Sequence, residues 1–165
     1  MTLPEELGLA EGALILVDSS ALVYYAEGAE GGRRAAVGAF FEAARGGRLR
    51  LAASAVAWAE LLAGAAGPGD AGRLRALLSD SRIVRIEVVD VAVAEEAARL
   101  MAALGRPART RPALGFADAL HIATAIVIGA DATLTNDEAW REVPRCPRAL
   151  LVDEIAALMA LGEGS

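Results

Sequence analysis

Apolar residues along this chain fall into two alternating patterns. Short runs of Val, Ile, Leu and Ala occupy residues 13–18 (ALILVD), 48–54 (RLRLAAS), 83–90 (IVRIEVVD), 130–135 (ADATLT) and 148–153 (RALLVD). Their length and near-continuous apolar character predict buried strands, with the second and fourth weaker in composition. Between them, helical spacing extends over about 19–27, 33–45, 55–65, 69–79, 91–104 and 116–129, followed by a short turn near 137–141 and a last helix from 153. Strand and helix alternate, which predicts an α/β fold: three layers, α/β/α, around a mostly parallel sheet of four to five strands joined by right-handed crossovers. No internal repeat and no linker interrupts the pattern. The expectation is one domain over residues 1–165, with its core at about 13–153.

Composition sharpens this picture. The hydrophobic fraction of 55% is inflated by alanine and only 4% of residues are aromatic, so the core must be built from Leu, Val, Ile and Ala. A net charge of −6 exerts no global pull on nucleic acid or an anionic membrane; any polyanion must be held locally. Cys146 and His121 are the single cysteine and histidine, which excludes an intramolecular disulfide and a four-ligand zinc site and fits a reducing cytoplasm. Glu5, Glu6 and Glu11 give the chain an acidic start, the opposite of a signal peptide, and no uncharged apolar stretch reaches spanning length, so no membrane association is expected. All 16 basic residues are arginine. Without lysine, P-loop nucleotide hydrolysis and receiver-type phosphotransfer are excluded.

In open α/β sheets the ligand site lies beyond the carboxyl ends of the strands. Asp18 ends the first predicted strand, Asp118 stands in the first turn of the helix leading to the fourth, and Asp137 follows that fourth strand after Thr135 and Asn136. Topology alone therefore brings three carboxylates to one edge. Glu60 is the only acid in SAVAWAELLAG and lies about six residues beyond Ser54, the expected cap. That is roughly 9 Å down the helix, and geometry alone does not place it with the others.

At these residues the chain resembles a known family. VDSSALVYY, AELLAG, FADALHIATA and TLTND match, in order and spacing, the four acidic motifs of PIN-domain nucleases, especially the VapC-like toxins of toxin–antitoxin pairs, over roughly residues 13–153. The resemblance implies a PIN-like fold and a catalytic set of Asp18, Glu60, Asp118 and Asp137. It makes Asp18, Asp118 and Asp137 the metal ligands, and Ser20 and Thr135 polar neighbours; it also supplies the place of Glu60 that spacing lacks. It further implies a Mg²⁺- or Mn²⁺-dependent endoribonuclease with an RNA substrate, a homodimer, and a cognate antitoxin protein whose basic tail places an arginine in the acidic pocket. Clustered carboxylates suit such ions because their oxygens are hard, anionic ligands that repel one another without a cation. The chain is somewhat longer than many such toxins and its 105–115 segment, GRPARTRPALG, is rich in Pro and Arg; these departures bear on substrate choice.

Each residue also has a plainer reading. Asp18 with Ser19 and Ser20 is a capped strand-to-helix turn, Glu60 a solvated helix residue, Asp118 an acid favoured by the helix dipole, and Asp137 a cap whose place Asn136 or Glu138 shares. Four acids in the family's order favour the site. His121, at i+3 from Asp118, reads first as a satisfied, partly buried neighbour and second as a substrate contact. Arg106, Arg109 and Arg111, with Arg33 and Arg34, either hold RNA phosphates or merely solvate loops. GPGDAG (67–72) has dinucleotide-binding spacing but joins two helical segments, and a serine hydrolase lacks its Gly-x-Ser-x-Gly elbow. The alternative from another class is a catalytically silent PIN-like binding module, which metal dependence distinguishes.

Overall fold

The computed structural model describes residues 3–27, 32–64, 68–80, 82–104 and 114–162. Five strands form one parallel sheet: β1 (Ala13–Val17), β2 (Leu49–Ser54), β3 (Val84–Glu87), β4 (Ala132–Thr135) and β5 (Arg148–Leu151), in the order β3-β2-β1-β4-β5. Every residue of β1 and β4 is buried, as expected of central strands covered on both faces. The helices are α1 (Leu3–Glu6), α2 (Ser19–Glu27), α3 (Arg33–Arg45), α4 (Ala55–Gly64), α5 (Pro68–Ser79), α6 (Val91–Leu104), α7 (Phe116–Val127) and α8 (Val152–Gly162), with a 3₁₀ turn at Glu138–Glu142. This is the three-layer α/β fold that the alternation predicts. Pro68 opens α5, so residues 68–72 of the glycine-spaced segment form a helix start and not a strand-to-helix phosphate loop; Gly67 lies outside the described residues.

The period-2 geometry of β1 divides the core in two. Ala13, Ile15 and Val17 face a cluster with Phe40, Phe41, Leu61 and Leu74, whereas Leu16 faces the opposite layer, where Ala97, Leu100, Ile122, Ala123 and Trp140 pack. Helices α6 and α7 form that second layer. On its margin Glu96 of α6, 5% exposed, accepts from Arg99 at 3.0 Å and from Arg145 at 2.7 Å. Arg145 adopts φ 64° to do so, a left-handed backbone that L-residues rarely hold, and the contact ties the segment after the 3₁₀ turn to α6.

Departures from the predicted boundaries have local causes. The third strand ends at Glu87, not at 90, because its neighbour β2 ends at Ser54, the partner of Glu87; Val88 beyond it is 71% exposed. The fifth ends at Leu151, since the backbone N–H of Asp153 is already turned to the side chain of Asn136 as α8 begins. The four-residue α1 lay below the reach of periodicity.

Candidate active site at the carboxyl edge of the sheet

The strand order reverses between β1 and β4, so their carboxyl ends open a crevice. Asp18 stands there, 6% exposed, its backbone N–H donating to the Leu134 carbonyl at 2.9 Å and so extending the β1–β4 ladder by one residue. Its side chain is held from both sides. Oδ1 accepts from the Ser19 N–H at 2.7 Å; Oδ2 accepts from the Ser20 hydroxyl at 2.7 Å and the Thr135 hydroxyl at 2.9 Å. Thr135 in turn accepts from the Asp137 N–H at 3.1 Å, so its own proton is committed to Asp18. Ser20 and Thr135 are thus joined directly to the acid they flank.

Asp118 lies half-buried in the first turn of α7, close enough to Asp18 and Asp137 to feel both charges. Burial, then the neighbouring Asp18 and Asp137 carboxylates, push its pKa up; His121 and the Trp140 indole oppose them. Trp140 Nε1 is buried with no partner at ordinary hydrogen-bond geometry, so its pull on Asp118 is a longer-range one. Asp137 is exposed and caps the 3₁₀ turn through Ala139 N–H at 2.9 Å. Asn136 does not share its place: its Nδ2 donates to Asp153 at 3.0 Å, turning the amide toward α8.

Glu60 is brought in by a side chain from another helix. His121 Nε2 lies 2.9 Å from Glu60 Oε2 and 3.8 Å from Asp18 Oδ1, and its Nδ1 lies 2.7 Å from the Ser54 hydroxyl. The histidine, 1% exposed, also stacks at 6.2 Å from the Trp140 ring. Helix α4, which carries Glu60, packs against both α2 and α7, and this places its glutamate across from His121. Among the described residues no group of three or more Asp, Glu, His or Cys side chains stands as a ready-made metal-ligand set. A PIN domain family model matches residues 15–145, a span that contains all four acids.

The chain belongs to the PIN domain family.

Solved structures give the same picture of the PIN fold. The chain is similar to the VapBC2 complex of Rickettsia felis bound to a promoter DNA fragment (TM-score 0.65, 17% identity, covering 84% of this chain and 98% of that one). It is also similar to DNA-bound VapBC of Salmonella typhimurium (TM-score 0.62, 19% identity, 85% and 98% covered). A third is the sarcin–ricin-loop-cleaving toxin VapC20 of Mycobacterium tuberculosis (TM-score 0.54, 20% identity, 72% and 86% covered). At these identities the likeness is one of fold. No curated protein matches the chain by sequence.

Within this PIN domain the arginines separate. Arg106, Arg109 and Arg111 lie outside the described residues. Arg33 is paired with Asp153 at 2.5 Å and packs over the Tyr24 ring, so it braces α3 against α8, while Arg34 is exposed. Two residues the motifs did not single out as site neighbours, Ser54 and Trp140, line the buried side of the acids. Ser54 was legible only as a cap, which it also is, accepting from Ala57 N–H at 3.3 Å.

Gly115 matters for the carboxylate of Asp118. A Cβ there would meet Asp118 Oδ2 at 2.6 Å, so any side chain displaces the carboxylate from its place. Its backbone, φ −62° and ψ 150°, is open to alanine. Gly115→Ala is therefore expected to leave stability within about 1 kcal/mol of wild type while lowering any activity that depends on Asp118 by about tenfold or more. Melting curves and initial rates measured side by side check this; an unchanged rate shows that Asp118 does not act from its present position.

Proposed function

We propose that this PIN domain is a divalent-metal-dependent endoribonuclease, the toxin of a toxin–antitoxin pair. The observation that carries this reading is the approach of Asp18, Asp118 and Asp137 at one edge, where burial and then repulsion from Asp18 and Asp137 raise the pKa of Asp118. Such a cluster of hard oxygen donors fits Mg²⁺ or Mn²⁺, which relieves the repulsion. Asp18, Asp118 and Asp137 would hold the ion. When bound, it supplies charge neutralisation at the phosphodiester and activates water at neutral pH.

The chain's own residues do the rest. Ser19, Ser20 and Thr135 fix both oxygens of Asp18, so little reorganisation remains when substrate arrives. Exposed Asp137 and half-exposed Glu60 are the site acids open to solvent, and Glu60 would take the proton of the attacking water as its oxygen bonds to phosphorus, while the leaving oxygen departs as the P–O bond breaks and takes a proton from solvent. The chemistry needs no lysine, and the chain has none. An RNA polymer is supported by the similar VapC20, a toxin that cleaves the sarcin–ricin loop, and a protein antitoxin by the VapBC complexes. A homodimer and a cytoplasmic setting complete the proposal; among the described residues no helix is long and apolar enough to cross a membrane.

The test is incubation of purified protein with total and transfer RNA in Mn²⁺ or Mg²⁺, with EDTA as control. Discrete fragments in metal and intact RNA in EDTA are the expected result. Intact RNA throughout, with no rise in melting temperature on adding metal, would instead favour a silent PIN-like binding module.

A further inference from the structure

Within the proposed nuclease, on which this inference rests, His121 is buried in the apolar second layer, yet both its ring nitrogens are engaged: Nδ1 with Ser54 at the end of β2, Nε2 with Glu60 on α4. The direction of these bonds follows from the partners. The Ser54 hydroxyl is fully buried and already accepts the Ala57 N–H; the acceptor within reach of its own proton is His121 Nδ1, 2.7 Å away. A buried hydroxyl that failed to donate would lose a bond that water supplies in the unfolded chain. Nδ1 is therefore the bare nitrogen, and Nε2 carries the proton that it donates to the Glu60 carboxylate.

The same Nε2 edge faces Asp18 at 3.8 Å. One imidazole edge thus gathers two carboxylates from different elements, Asp18 at the end of β1 and Glu60 on α4, that would otherwise separate by repulsion. Glu60 has 40% of its side chain exposed, and among the described residues His121 Nε2 is its side-chain hydrogen-bond partner. Without a donor at this point a glutamate so far down α4 is free to turn into solvent.

We propose that His121 is a positioning residue: held in its Nε2–H form by Ser54, it holds the Glu60 carboxylate at the margin of the Asp18–Asp118–Asp137 cluster. The three side chains form a relay from the sheet edge, through α7, to α4. The relay explains how a glutamate that helix spacing leaves outside the site belongs to it.

Because His121 is the chain's sole histidine, its two ring nitrogens give one pair of signals in long-range ¹H–¹⁵N spectra of the full chain. The expected pattern is a protonated Nε2 and a bare Nδ1, with Glu60→Gln shifting the Nε2 signal and Ser54→Ala shifting the Nδ1 signal. Protonated Nδ1 as the main form, or an Nε2 signal untouched by Glu60→Gln, overturns the proposal without any His121 variant having to fold. In RNA cleavage, His121→Asn, which cannot reach Glu60, is expected to lower kcat about 10- to 100-fold with KM little changed. His121→Gln, whose amide nitrogen reaches the Nε2 position, retains more of the rate. In a Glu60→Gln background His121→Asn should cost nothing further; losses that multiply instead mean that the two residues act separately. If wild-type protein cuts no RNA, the nuclease reading fails, while the spectra still decide whether His121 holds Glu60.

Discussion

Asp118→Asn is expected to lower RNA cleavage by at least about 10³-fold, which corresponds to several kcal/mol of lost transition-state stabilisation. The substitution keeps the shape of the side chain and its place in the first turn of α7, and it removes the one charge that Asp18 and Asp137 both press upon. A cation held by three carboxylates loses both a ligand and a third of its counter-charge. The effect should appear in kcat, since the polynucleotide's remaining contacts are untouched. Glu138→Gln serves as the control: this exposed acid next to Asp137 takes no part in the electrostatics of Asp118, and its rate should stay within about twofold of wild type. Discrete cleavage that persists in Asp118→Asn at a comparable rate would remove Asp118 from the chemistry and with it the reading of the cluster.

The second large effect concerns stability and runs against activity. Burial and two neighbouring carboxylates raise the pKa of Asp118 above its ordinary 3.8. The folded protein therefore keeps a proton at pH values where the unfolded chain has released it. Stability contributed by that protonated form is full below about 3.8, falls as pH rises through the higher folded-state value, and is gone at neutral pH. Asp118→Asn carries no such penalty. In EDTA at neutral pH the variant is expected to melt above wild type, with the gap closing as pH falls toward 3.8. Metal reverses the order. At a concentration about 100 times its Kd a cation that binds only the folded state adds about 2.7 kcal/mol, or about 5–10 °C for a chain of this size, to wild type and little to the variant. Calorimetry across pH, with and without Mn²⁺, separates the two behaviours. A variant that melts below wild type in EDTA would show that the carboxylate is a net structural asset, contrary to a site kept under electrostatic strain for a cation.

The two effects have one origin. Carboxylates held together against repulsion are costly in the free protein, and a bound divalent ion would relieve that cost. The fold sustains this because the acids are anchored by rigid neighbours. Asp18 is fixed by backbone and hydroxyl donors at the end of a fully buried strand, and Asp118 by a helix whose next seven residues are buried.

Which parts of this were legible in the chain follows from what periodicity can report. Alternating apolar runs and helical spacing determined the α/β order, because a strand buried on both faces and a helix with a buried stripe leave different repeats. Given that order, the places of Asp18, Asp118 and Asp137 followed, since residues directly after parallel strands or at the start of a returning helix must gather at one edge. The order of the four motifs then sufficed for the family. Tertiary structure alone decided the lengths of β3 and β5, which depend on where a neighbouring strand or an Asn136 side chain ends the ladder. It also shows what holds Glu60, which spacing left apart and only the family resemblance put with the other acids. A glutamate six residues along a helix looks remote when distance is counted down its own axis, and the Ser54–His121–Glu60 relay that includes it runs between three elements. Hydrogen bonds between elements leave no period in a sequence, because they depend on how helices cross and not on how residues repeat.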